Sequence, residues 1–120
     1  MSDFRLPDYL EHIRQAASEA CSFIEGMSKD DFLADRRTQN AVVMSLIAIG
    51  ETAARLMDRY PAFTARHAEI PWLLMRDTRN RIAHGYFDIE FNTVWDTART
   101  SLPALLGQLA AIEDIGSWGA

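Results

Sequence analysis

Apolar residues Leu10, Ile13, Ala17, Ala20, Phe23, Ile24 and Met27 recur at steps of three and four, the spacing of one buried helix face. With Pro7 suited to a first turn, they predict a helix over about residues 7 to 27. Ser28 or Asp30 then stands where a cap is needed for a short turn carrying Phe32 and Leu33, because their side-chain oxygens can accept from unpaired helical N–H groups. Residues 36 to 59 contain no proline and carry a broad apolar face, which predicts a longer second helix ended by Tyr60-Pro61. Gly50 lies inside it, where glycine costs about 1 kcal/mol relative to alanine; close approach of another helix would account for it. A helical turn is expected at 62 to 67, and Pro71 opens a third helix with Trp72, Met75, Thr78 and Ile82 on one side. Gly85 is expected in the left-handed conformation that ends a helix, placing His84 in the last turn and Tyr86 just beyond. A fourth helix, begun by Asp88 or Asn92, runs through Val94, Trp95, Ala98, Leu102, Leu105, Leu106 and Leu109, with a kink expected at Pro103. No segment reads as a strand. The prediction is an all-α fold, an antiparallel four-helix bundle with short extra helical turns, in which sites form between facing helices.

Composition narrows this further. A chain of 120 residues, 48% hydrophobic and 24% charged, fits a single domain with a real core; residues 113 to 120 read as a loose tail whose Trp118 has no legible role. The longest apolar stretch, Ala41 to Ile49, falls short of the roughly 20 residues that span a bilayer. No apolar signal core is visible near Asp3 and Arg5, and Cys21 has no partner for a disulfide within the chain. A cytoplasmic protein without membrane contact is expected. The net charge of −5 argues against a general polyanion binder, yet residues 55 to 84 hold six of the twelve cations against three acids. A local anion site fits that distribution; a broad nucleic-acid face does not.

Within this cationic stretch, residues 79 to 86 read Arg-Asn-Arg-Ile-Ala-His-Gly-Tyr. A guanidinium can hold a phosphate through paired charge-assisted hydrogen bonds, and an imidazole can move a proton near neutrality. Such a pair suits attack of a ribose 2′-hydroxyl on the adjacent phosphodiester, with no metal or cofactor required: His84 would take the hydroxyl proton, Arg79 would stabilise charge on the phosphorane, and Asn80 would orient the phosphate or the imidazole. Five residues on a helix turn through about 140°, so Arg79 and His84 do not project together, whereas Arg76, Asn80 and His84 share a stripe. A second copy across a two-fold axis would bring the missing groups in. Glu51, on the long helix, is a candidate partner for Arg79 or Arg76. The bland alternative is a helix-terminal histidine beside surface arginines. His12 and His67 lack metal-ligand spacing, Trp72 and Trp95 read as core or dimer packing, and Cys21 as a small core residue.

The string also resembles a known pattern. Arg79, His84 and Tyr86 match the R-x4-H-x-Y motif of the HepT-like toxins of the HEPN superfamily, supported by Ile70-Pro71-Trp72, Tyr86-Phe87-Asp88, Val94-Trp95 and Ile49-Gly50-Glu51-Thr52. The resemblance implies a HEPN-type bundle, a homodimer with its active site at the dimer cleft, and metal-independent RNA cleavage. It implies neutralisation by a minimal nucleotidyltransferase antitoxin, with Arg79 and His84 the catalytic pair, Asn80 the polar residue that follows the arginine and Tyr86 the residue modified with AMP. Thr78 departs from the pattern, standing where an apolar residue is more usual, and Arg76 lies outside the motif spacing, with phosphate binding its expected role. The rival reading is a non-catalytic helical subunit that presents a nucleotide or a partner surface to a nucleotidyltransferase.

Overall fold

The long second helix organises the molecule. In the computed structural model, which describes residues 5–112 apart from the side chain of Phe87, α1 (Leu6–Phe23), a short α2 (Lys29–Leu33) and α3 (Arg36–Arg59) are followed by the single turn and a half of α4 (Pro61–Arg66). The chain continues through α5 (Trp72–His84), a 3-10 turn (Tyr86–Asp88), α6 (Phe91–Asp96), a π-helical turn (Thr97–Ser101) and α7 (Leu102–Ala110). The last three form one helical run, so the expected four-helix bundle is present, and no strand occurs among the described residues.

α3 packs against α5 on one side and α1 on the other, and α1 also packs on α7. By length and hydropathy α3 would suffice to cross a membrane, but its apolar positions Val42, Val43, Leu46, Ile49, Ala53 and Leu56 are buried in the bundle. The core is one cluster, with Phe32, Phe63, Leu6, Ile13, Leu56, Ile70 and Val42 fully enclosed. Trp95 packs on Phe32 with ring centres 5.6 Å apart, and Trp72 on Phe63 at 6.2 Å. The Trp72 indole N–H donates to the His67 carbonyl at 3.0 Å, so both tryptophans belong to the core. Buried Gln39 donates through its amide nitrogen to the carbonyls of Phe32 and Leu33, each at 3.0 Å, which satisfies the end of α2 and ties it to α3.

The caps show where local sequence decides. Ser28, not Asp30, caps α2: its hydroxyl accepts from the Asp31 N–H at 3.1 Å while the Asp31 carboxylate accepts from the Ser28 N–H at 3.0 Å, a reciprocal capping box. Asp35 caps α3 by accepting from the Thr38 N–H at 3.2 Å and its hydroxyl at 2.8 Å.

Three expectations are corrected. α1 ends at Phe23 rather than near 27, because the left-handed glycine is Gly26, at φ 79, three residues on. Gly85 has φ −151 instead: its carbonyl accepts from the Asp88 N–H at 2.9 Å, and the chain passes from α5 into a 3-10 turn without a left-handed residue. Asp88 lies in that turn and Asn92 inside α6; the cap is Glu90, whose carboxylate accepts from the Asn92 N–H at 3.1 Å and amide at 2.8 Å. Pro103 sits in the first turn of α7, directly behind the π turn, where the wider coil accommodates its ring and its missing N–H donor. The tail expected at 113 to 120 lies outside the described residues.

Candidate active site

Gly50 fixes the geometry from which the site is built. A Cβ placed there would lie 2.3 Å from the Arg79 Cβ and 2.5 Å from the Met75 carbonyl oxygen, so α3 and α5 touch backbone to backbone at this crossing, as a glycine inside a helix predicts. The next residue on α3 is Glu51, and its carboxylate stands 3.6 Å from the Arg79 guanidinium. Glu51 is also 4.0 Å from Arg55. Of the two arginines expected as partners for Glu51, Arg79 is the one that takes the role. Arg76 turns instead to Asp77, at 3.2 Å.

Arg79 is poorly saturated for a side chain with five donors. It is three-quarters buried, its one ion pair is longer than a hydrogen bond, and its Nε is buried with no acceptor among the described residues. A guanidinium retained for stability alone would be expected to fill more of that capacity, because an unpaired buried donor costs about 1–3 kcal/mol.

One turn on, Asn80 and His84 share a stripe, as their spacing predicts, and both line an open groove of about 710 Å³ between α5 and the run from Gly85 to Thr97. Its floor is apolar, with Leu46, Ile82 and Val94; Asp88 and Glu90 stand among its polar members. The Glu90 carboxyl is held below the usual carboxylate range, chiefly by the hydrogen bond from the Asn92 side chain and then by that from its N–H. Arg79 does not line this groove. Within the protomer Arg79 stands at Glu51, while His84 and Asn80 line the groove without it.

Tyr86, first residue of the 3-10 turn, donates its hydroxyl to the side-chain carbonyl of Asn40 on α3. Asn40 was not legible as a site residue: 46 positions separate the pair, and only the register of α3 against α5 brings them together. That register is antiparallel, since Asn40 meets Tyr86 where Gly50 meets Arg79.

The other candidates stand elsewhere. Burial pushes the Cys21 thiol up and its S–H donates to the Ala98 carbonyl at 3.8 Å in the π turn, the setting of an inert packing residue. His67 lies against Phe63 with ring centres 4.6 Å apart, and its Nδ1 is 3.4 Å from Glu69. His12 is exposed on α1. Among the described residues no group of three or more His, Cys, Asp or Glu side chains is placed to hold a metal ion.

Comparison with known proteins agrees with the motif. The sequence model described as "Ribonuclease HepT-like" matches residues 13–112. The chain is 35% identical over 101 residues to a Thermococcus cleftensis protein named "Probable ribonuclease HepT", with 84% of this chain and 89% of that protein covered. Two further relatives carry RNase in their names. One, from Caldanaerobacter subterraneus subsp. tengcongensis, is 32% identical with 87% and 90% covered; the other, from Methanocaldococcus jannaschii, is 31% identical with 89% and 84% covered. No solved structure matches the chain. The match runs from the middle of α1 to the end of α7, through both helices that carry the site, and the chain belongs to the HepT-like ribonuclease family.

Proposed function

We propose that this protein is a metal-independent endoribonuclease, the toxin of a toxin–antitoxin pair, with Arg79 and His84 as the catalytic pair. The observation that carries the reading is the unsaturated Arg79 guanidinium, held at Glu51 with an unpaired Nε, on the same helix as an exposed imidazole that makes no hydrogen bond among the described residues. A phosphodiester supplies what the arginine lacks, two acceptor oxygens matched to its donor fork. His84 takes the ribose 2′-hydroxyl proton as that oxygen attacks phosphorus. The P–O5′ bond breaks, and Arg79 neutralises the charge that grows on the non-bridging oxygens. The products are a 2′,3′-cyclic phosphate and a 5′-hydroxyl. Because the nucleophile belongs to the substrate, no metal-activated water is called for.

One histidine cannot in the same step take the attacking proton and protonate the departing oxygen, so in this reading the proton that completes the 5′-hydroxyl comes from water. Arg79 does not line the groove that His84 lines, which supports a homodimer in which the arginine of one copy and the histidine of the other share a cleft. In this reading the cognate minimal nucleotidyltransferase silences the enzyme by placing AMP on Tyr86, 38% exposed at the end of α5. The added phosphate is an anion close to the groove that the substrate must enter.

The test is cleavage of one RNA and of the same sequence as DNA, each in excess chelator, with product ends identified. Cleavage of RNA alone, giving a cyclic phosphate, is expected. Equal cutting of both would overturn the mechanism. An inert protein that still binds nucleotide would favour the rival reading of a binding subunit, which the separate placement of Arg79 and His84 also fits. Mass spectrometry after co-expression with the nucleotidyltransferase should locate AMP on Tyr86; modification confined to other residues would refute that part.

A further inference from the structure

The hydrogen bond between Tyr86 and Asn40 ties α3 to the 3-10 turn that follows α5, two residues beyond His84. Between His84 and Tyr86 there is only Gly85, a residue without the side chain that would stiffen the link. After α5 the chain is held by few bonds of its own: Gly85 N–H to the Arg81 carbonyl at 3.0 Å, Asp88 N–H to Gly85 at 2.9 Å and Ile89 N–H to Tyr86 at 3.3 Å. The first belongs to the end of α5 and the others to the turn itself, so among the described residues no backbone hydrogen bond ties the turn to another helix, and beyond hydrogen bonds Ile89 at its end packs against the core. The phenol does so, by donating to a side chain on α3.

We propose that Asn40 is a positioning residue for the cleavage site, a latch that acts through Tyr86. While the phenol is unmodified, its proton is donated to the Asn40 side-chain carbonyl, which anchors the turn to α3 and sets the last turn of α5, with His84, in its working place. The inference rests on the ribonuclease reading of this site and adds a consequence for its regulation. When the Tyr86 oxygen attacks the α-phosphorus of ATP, an O–P bond forms, pyrophosphate leaves and the phenolic proton goes to solvent or base. The product oxygen then has no proton to donate. Asn40 Oδ1 faces another acceptor, and turning the amide to present its NH2 regains only a contact to a weakly accepting aryl ester oxygen, so the latch is loosened. Modification therefore silences the site by releasing the turn as well as by adding bulk and charge.

The experiment is a double-mutant cycle on the full-length protein with Asn40→Ala, Tyr86→Phe and the pair, using RNA cleavage to separate kcat from KM. Asn40→Asp serves as the conservative rescue, because a carboxylate also accepts from the phenol. Both positions are exposed, and circular dichroism confirms folding. Each single variant is expected to lower kcat about three- to tenfold, the scale of one net hydrogen bond, with KM unchanged. The double variant should lose no more than either single one, and Asn40→Asp should cleave close to wild type. Amide exchange at Asp88 and Ile89 should quicken in both single variants without a change elsewhere in α3. Wild-type kcat in Tyr86→Phe and Asn40→Ala, or additive losses, would overturn the latch. Absence of cleavage by the wild type, or indifference to Arg79→Ala, would instead sink the ribonuclease reading; the exchange rates at Asp88 and Ile89 still decide whether the turn is latched.

Discussion

Arg79 is positioned by a neighbour that is hardly visible as chemistry. Gly50 has no side chain, and that lets α5 lie close enough for the Arg79 stem to sit on α3 with its guanidinium at Glu51. Gly50→Ala would put a methyl group against a backbone carbonyl and a Cβ, neither of which can swing aside. We expect a loss of about 1–3 kcal/mol in denaturant unfolding, typical of overpacking, despite alanine's better helix propensity. Glu51 behaves differently. Its carboxylate is half-exposed, so Glu51→Gln should change stability by less than about 1 kcal/mol while lowering RNA cleavage through a misdirected guanidinium; unchanged kcat would show that Arg79 does not need it. The glycine and the glutamate could be read from the sequence as a close approach and an ion-pair partner, because both are anomalies in an apolar stretch. Asn40 could not, since an exposed asparagine on a helix is ordinary until its partner 46 residues away is placed beside it.

At the scale of elements, the periodic segments were legible and their ends less so. Helix faces follow from spacing, which the long helices repeat many times. Ends depend on one residue each. Gly26 and Gly85 look alike in sequence, yet the first takes φ 79 and the second φ −151, because the chain after Gly85 closes a 3-10 turn on the Gly85 carbonyl. The π turn before Pro103 was likewise beyond reach, since a proline announces disruption and not its form. Two consequences can be measured. Gly107 in α7 has negative φ and nothing near its missing Cβ, so Gly107→Ala should stabilise by about 0.5–1 kcal/mol, opposite in sign to Gly50→Ala. The caps of α3 and α6 should respond to acid. Hydrogen bonds from the Thr38 hydroxyl and N–H hold the Asp35 carboxyl low, as those from Asn92 hold Glu90. A folded value below the unfolded one gives stability that is complete above the ordinary carboxylate range and is lost as pH falls through the lowered value. Amide exchange at Thr38 and Asn92 should therefore rise on acidification, relative to helix-interior amides, and Asp35→Asn should flatten that dependence for α3.

For the whole molecule, Arg79 stands at the α3–α5 crossing and His84 in the groove beside α6. A dimer that joins the arginine of one copy to the histidine of the other makes a complementation experiment decisive. Arg79→Ala and His84→Ala proteins, each predicted to be inactive alone, unfolded together and refolded one to one, should recover about a quarter of wild-type activity, since half the dimers are mixed and each has one intact cleft. No recovery would place both residues of a working cleft in the same copy. The family and the fold were within reach of the sequence because the motif and its flanking residues lie on core helices; the placement of Arg79 at Glu51 and of His84 in a different groove was not, because it depends on how α3, α5 and α6 meet and not on any periodicity within one helix.

The most direct measurement is single-turnover cleavage of a structured RNA, in chelator, by purified wild type, Arg79→Ala and His84→Ala of matched fold. The account predicts cyclic-phosphate ends from the wild type and a loss of about 10²- to 10⁴-fold in each variant, the scale of a removed charge stabiliser or proton-transfer group. Cleavage at wild-type rate by either variant would contradict it.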